Sequence, residues 1–316
     1  MTDTVGPDPR WLTHGLNNGW FFTLSYRLVR TLPRSVSYGL ARIGTWVAWR
    51  TMGETTRAIE DNLRAVVPGA SARELSKLSL ATYRSYAQDV ADLMAGVWAS
   101  PAESESMFSA RGVDTFHRVR AQGRGALIVT GHFGNWELGG LLMRNLGVPL
   151  DVVAMPEADE QVNRMRHAFR QQMGIETIEV RQSLDTALQI RQRLAQNRTI
   201  AILMDRHVDR DRVEVQFFDR RAYFLRTPAL LSYLTGAPLV PCFIVRIGPR
   251  RFDVIAEDAI EVDRSLPRDQ GVQQVAQQFA AVLERHIRQR PECWYQFYPY
   301  WKLQTDEGSD LRTLRP

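Results

Sequence analysis

The chain has 316 residues, of which 44% are hydrophobic, 9% aromatic and 24% charged. Those proportions exclude a disordered or collagen-like chain, and two cysteines, Cys242 and Cys293, are too few for a disulfide framework. The net charge is +5, and among 40 basic residues only Lys77 and Lys302 are lysines, so the positive surface is made of arginine, whose forked donors suit phosphate and carboxylate.

The opening stretch MTDTVGPDPRWL lacks a basic region followed by an apolar run, so no secretory signal is expected, and the cysteines are expected to stay reduced in the cytoplasm. Trp20 to Arg30 reads as a helix with large apolar residues on one side and Arg27 and Arg30 on the other, ended by Pro33. A second helix carries Tyr38, Leu40, Ile43, Trp46 and Val47. Its apolar stretch, Ser35 to Val47, contains Arg42 and falls short of the roughly 20 residues needed to span a bilayer. This pair fits either helices lying in a membrane interface or a hairpin that covers a sheet. A third helix is expected over Glu54 to Val66, and a fourth from a Ser71–Glu74 capping box to about Trp98.

After Pro101, short apolar runs alternate with helical stretches, the pattern of an α/β sheet. Strands are expected at Ala126–Thr130, Asp151–Ala154, Thr177–Val180, Thr199–Met204, Val213–Phe217, Leu239–Arg246 and Phe252–Ala256. Helices are expected at Asn135–Leu146, Asp159–Met173, Ser183–Gln196, Thr227–Thr235 and Asp269–Gln289. His167 and His286 fall within these helices and read as surface residues. No flexible linker interrupts the chain, so one domain over 1–316 is expected, helical and membrane-facing over 1–100 and α/β over 101–316.

The stretch GALIVTGHFGNWELGGLLMRNLG, residues 125–147, carries the chemistry. A strand ends at Gly131-His132, Asn135 reads as the cap of the next helix, and Gly147 reads as its end. His132 therefore sits at the carboxyl edge of a strand, where open α/β sheets bind ligands. Glu137 follows five residues later, about 140° around a straight helix, but Gly131 and Gly134 allow a bend that brings the two together. A carboxylate on one imidazole nitrogen fixes the tautomer and frees the other nitrogen to take a proton. The alternative is a satisfied loop histidine and a glutamate that merely complements a helix dipole. No Gly-x-Ser-x-Gly and no cysteine lies near His132, so no covalent acyl-enzyme is indicated.

GHFGNWELGG resembles the His-x4-Asp/Glu motif of the bacterial lipid A biosynthesis (lauroyl/myristoyl) acyltransferase family, which includes the phosphatidylinositol mannoside acyltransferase type, within the lysophospholipid acyltransferase superfamily. Asn62-Leu63-Arg64, Asp205-Arg206, Val213–Phe218, Thr227–Leu231, Gly236–Pro241 and Pro291–Trp301 resemble further blocks of that family in the same order. The resemblance implies a mostly parallel mixed sheet flanked by helices (the glycerol-3-phosphate acyltransferase-like fold) with a membrane-facing helical N-terminus. It implies His132 as general base, Glu137 as its orienting carboxylate and Arg170 near the site. His207 and Asp219 depart from the family pattern, which has Asp and Gly there, and Met155 stands where a glutamate is usual in the mannoside type, with Glu157 nearby.

Asn135, Arg170, Asp205 and Arg206 are the expected substrate-binding residues, and the arginines suit the phosphates of an acyl carrier or phosphoglycolipid. Asp205 either ties its loop to backbone amides or helps to position the His132 region. The expected oxyanion donors are backbone N–H groups of the glycine bend, or an arginine. No cofactor and no metal are expected; acyl-CoA or acyl carrier protein would be co-substrate, and a membrane glycolipid or lipid A-type precursor the acceptor. The expected place is the cytoplasmic face of the inner membrane, held peripherally. The competing readings are a non-catalytic glycolipid-binding protein on the same scaffold and a nucleic-acid binder, the latter without a recognisable module.

Overall fold

The computed structural model describes residues 19–157, 159–180, 185–208 and 211–304, except for the side chain of Phe21. Helices α1 (Gly19–Thr31), α2 (Arg34–Thr51), α3 (Gly53–Val66) and α4 (Ala72–Gly96) come first. Ser71 and Glu74 cap α4 reciprocally: the Glu74 N–H donates to the Ser71 hydroxyl at 3.3 Å and the Ser71 N–H to the Glu74 carboxylate at 2.8 Å. Three short elements follow that the sequence reading does not anticipate, α5 (Pro101–Ser106), β1 (Phe108–Arg111) and α6 (Asp114–Ala121). β1 has no buried residue, so no apolar run announces it.

The remaining elements are β2 (Ala126–Thr130), α7 (Gly139–Asn145), β3 (Leu150–Ala154), α8 (Glu160–Gln172), β4 (Glu176–Glu179), α9 (Asp185–Ala195), β5 (Thr199–Leu203), β6 (Arg212–Phe217), β7 (Arg220–Leu225), α10 (Thr227–Thr235), β8 (Leu239–Gly248), β9 (Arg251–Ala256) and α11 (Arg268–Gln289). Seven strands form one sheet in the order β1-β9-β8-β2-β5-β3-β4, parallel everywhere except between β8 and β9. The mostly parallel mixed sheet flanked by helices is therefore present. The expected strand at Val213–Phe217 lies outside that sheet. As β6 it pairs only with β7 in an antiparallel hairpin, turned by Phe218 and Asp219, both with left-handed backbone (φ +52 and +57). Aspartate tolerates that conformation, which explains how Asp219 stands in a position where glycine is usual.

β2 is buried along its whole length, as a parallel strand covered on both faces should be. Leu127 and Val129 pack with Phe243, Phe279 and Leu283 on one face, and Ala126 and Ile128 with Leu138, Leu141 and Phe252 on the other. β5 lies beside it in parallel register, with Thr130 opposite Leu203 and the Met204 N–H donating to Thr130 O at 2.8 Å. The two strands thus end side by side, and the residues that follow them emerge together.

Two expectations need correction. The helix expected over Asn135–Leu146 is a 3-10 turn at Trp136–Leu138 followed by α7, and Asn135 caps nothing: its side-chain amide donates to the Asp89 carbonyl on α4 at 2.9 Å. His286 is buried, with its ring 4.3 Å from that of Phe243 and Nε2 2.6 Å from the Glu257 carboxylate. The start expected for α9 at Ser183 lies outside the described residues.

The aromatic segment after α11 is stitched to α3 by one buried asparagine. The Asn62 side-chain amide donates to the carbonyls of Gln296 (3.1 Å) and Tyr298 (2.7 Å), and its oxygen accepts from the Tyr300 N–H at 3.0 Å. Asn62→Leu strands two buried carbonyls and one N–H, each worth about 1–3 kcal/mol when left unpaired. Denaturant unfolding should show a loss of at least about 3 kcal/mol; a loss under about 1 kcal/mol would remove Asn62 from this role.

Candidate active site

His132 and Asp205 leave the paired ends of β2 and β5 and meet there. The Asp205 carboxylate accepts from the His132 N–H through Oδ2 (2.9 Å) and from the ring Nδ1 through Oδ1 (2.7 Å). Gly131 makes the approach possible, because a Cβ there would lie 2.9 Å from Leu283 and 3.2 Å from the Asp205 carboxyl carbon. Gly134 has φ +64, and a Cβ on it would fall 2.1 Å from the Ile244 carbonyl oxygen.

Asp205 is fully buried and is held by the C-terminal aromatic block. Gln296 donates to its Oδ2 at 2.8 Å, the Trp294 indole donates at 3.3 Å, and the Tyr300 hydroxyl donates to its backbone carbonyl at 3.1 Å. Burial raises the pKa of this carboxyl, but the attraction and hydrogen bond of His132, with Arg206 and the backbone, outweigh it and keep Asp205 below its ordinary value. Burial lowers the pKa of His132, and Arg206 adds to this against the pull of Asp205, bringing it to about 4. The ring is therefore neutral at physiological pH, with its proton on Nδ1 facing the carboxylate and its lone pair on Nε2. Arg206 is braced by Gln296 at 3.1 Å and by the Tyr295 carbonyl at 3.0 Å.

Glu137 is not the carboxylate on His132. Arg166 and Arg170 of α8 each donate to its Oε1 at 2.9 Å, and Arg166 also pairs with Glu157 at 3.1 Å. Burial raises the Glu137 pKa, but Arg170 and Arg166 outweigh it and bring it to about 2. Two cations claim this carboxylate, so local spacing yields to an ion-pair network that converges from a distant helix. Arg170 thus touches Glu137, Asn135 touches α4, and Asp205 with Arg206 surrounds His132. Arg166, Trp294 and Gln296 escaped the sequence reading; a buried-side arginine one turn before Arg170 was the only local hint of the first. The glycine bend also spends its donors internally: the N–H groups of His132, Gly134 and Asn135 go to Asp205, to the Cys293 carbonyl (2.9 Å) and to the Ile244 carbonyl (2.8 Å).

Beyond Trp136 from His132 lies a narrow cavity of about 30 Å³, lined by Phe22, Leu93, Trp136, Glu137 and Asp89 among others. The Trp136 ring, which packs edge-on 5.4 Å from the His132 ring, forms the shared wall.

The fold and site define an α/β protein with a neutral, carboxylate-oriented imidazole at the carboxyl edge of its sheet. Residues 9–303 match the model of the bacterial lipid A biosynthesis acyltransferases, and the chain belongs to that family. It is an O-acyltransferase by class. It is similar to the phosphatidylinositol mannoside acyltransferase of Mycolicibacterium smegmatis, 27% identical over 293 residues that cover 89% of this chain and 90% of the relative. It is also similar to the protein of that name from Mycobacterium tuberculosis, 24% identical over 311 residues that cover 95% of this chain and 94% of the relative.

Glu137→Gln leaves two arginines facing a buried neutral amide, and breaking a buried pair in this way costs about 3–5 kcal/mol. A correspondingly lower unfolding midpoint is expected, with the acid limb of any pH–rate profile unmoved. A normal midpoint with a shifted acid limb would return Glu137 to His132.

Proposed function

We propose that the protein transfers a fatty acyl chain from an acyl thioester to a hydroxyl of a membrane glycolipid, with His132 as general base and Asp205 as its orienting carboxylate. The contact between Nδ1 and Asp205 at 2.7 Å carries this reading. It leaves Nε2 to take the proton of the attacking hydroxyl as its oxygen bonds to the thioester carbon, the carbonyl electron pair moving to oxygen. Collapse of that intermediate expels the thiolate, which takes the proton back from the imidazolium. Asp205 stabilises the imidazolium that forms between the two steps. Acyl-CoA and acyl carrier protein are both suitable donors. The name of the relatives makes a mannosylated phosphatidylinositol the first acceptor to test.

The N-terminal helices support contact with a lipid surface, which we place on the cytoplasmic side of the inner membrane. α2 is inside out for a covering helix: it buries Ser37 and Thr45 and exposes Val36, Leu40, Ile43 (64%), Trp46 (50%) and Val47. On α1, Trp20 is 71% exposed, and the exposed arginines 27, 30, 42 and 50 flank these apolar residues. No described helix is long and apolar enough to cross a membrane. Phe22, two residues after Trp20, is buried and lines the cavity, so it takes no part in this surface.

Thioester consumption by His132→Ala should fall by about 10² to 10⁴-fold, the usual worth of a general base. Adding Asp205→Asn should cost little more, because Asp205 acts through the ring. Near-normal turnover of His132→Ala, or fully additive losses, would refute the pair. For the membrane, Ile43→Glu with Trp46→Glu should weaken sedimentation with phosphatidylglycerol vesicles about tenfold or more while circular dichroism stays unchanged; equal binding would place contact elsewhere.

A further inference from the structure

Within the cavity wall, Asp89 of α4 is the polar group whose arrangement the fold alone leaves unexplained. It is 5% exposed, and it lines the cavity together with Trp136. Its Oδ2 accepts from the Tyr295 hydroxyl at 2.6 Å and its backbone carbonyl accepts from Asn135, but Oδ1 has no hydrogen-bond partner among the described residues. A buried carboxyl oxygen left this way costs free energy unless a ligand meets it. Because Oδ2 already accepts a donor, a proton on this carboxyl resides on Oδ1, which then becomes a donor facing the cavity.

The acyl thioester offers the complementary group. Its carbonyl oxygen accepts hydrogen bonds only, and it gains negative charge when the hydroxyl attacks. In the glycine bend the N–H groups of His132, Gly134 and Asn135 are committed to protein acceptors. The cavity, about 30 Å³, admits a group about the size of a carbonyl. We propose that protonated Asp89 donates a hydrogen bond from Oδ1 to the carbonyl oxygen of the acyl thioester and holds it as charge develops there. This assignment rests on the acyl-transfer reading above.

The surroundings favour the protonated form near neutrality. Burial is the largest influence, and Asp92 adds to it one turn along α4, against the Tyr295 hydrogen bond and the charges of Arg246 and Arg290, so the pKa is raised to about 7. From the cavity side Glu137 and Arg166 complete the charged neighbours, and Ser85 and Cys293 reach it through Tyr295. His132 titrates near 4 and Glu137 near 2, outside the window in which Asp89 changes state.

The test measures binding of palmitoyl-CoA and of its thioether analogue, S-hexadecyl-CoA, which lacks the carbonyl, from pH 6 to 8. A His132→Ala background prevents turnover. With Asp89 intact, palmitoyl-CoA should bind about tenfold more weakly at pH 8 than at pH 6, following the protonated fraction of a group near 7. Asp89→Asn should bind it with no such slope, and the thioether should show no difference between the two proteins. Tyr295→Phe, which removes the hydrogen bond that lowers the Asp89 pKa, should move the midpoint upward. The same slope in Asp89→Asn, the same slope with the thioether, or an unmoved midpoint in Tyr295→Phe would each overturn the assignment. If the parent protein consumes no thioester at all, the acyl-transfer reading fails with it.

Discussion

The site depends on one strand pairing. β2 and β5 run parallel and in step, so the residues after Thr130 and Leu203 leave the sheet together, and a histidine and an aspartate 73 positions apart fall within hydrogen-bond reach. A slip of one residue in that pairing would turn Asp205 to the opposite face of its strand. The register is itself fixed by burial, since β2 carries apolar side chains packed on both of its faces and tolerates no shift.

Around that pair the charges are sorted by competition. Three carboxylates and three arginines crowd the same edge, Glu137 and Glu157 sharing Arg166 while Asp205 has separate donors. Glu137 is taken by Arg166 and Arg170, while Asp205 accepts from His132, Trp294 and Gln296. Burial keeps the imidazole uncharged, and Asp205 fixes its tautomer. The clamp on Glu137 ties α8 to the turn that follows His132, on the side of the cavity lined by Trp136 and Glu137.

Much of this was legible in the chain. β2 was delimited to the residue because an unbroken apolar run between glycines has one reading, and the Ser71–Glu74 cap followed from local chemistry. The candidate residues also fell at one sheet edge, since the ends of β2 and β5 could be read. The pairing of His132 could not be read, because local spacing offered Glu137 and the true neighbour is set by sheet order. Asn135 looked like a cap for the same reason: its partner, the Asp89 carbonyl, lies on a helix 46 residues earlier. β6 alternates apolar and polar side chains as any strand does, and that alternation does not tell which sheet receives it. Asp89 itself gave no signal, since an aspartate in an amphipathic helix is ordinary until its burial is known.

The Asp205 cage is completed by Trp294, Gln296 and Tyr300, which follow every strand of the sheet in the chain. That tail is held to α3 by Asn62, so loosening it there would strip the aspartate of its indole and amide donors while the strands that carry His132 and Asp205 stay paired.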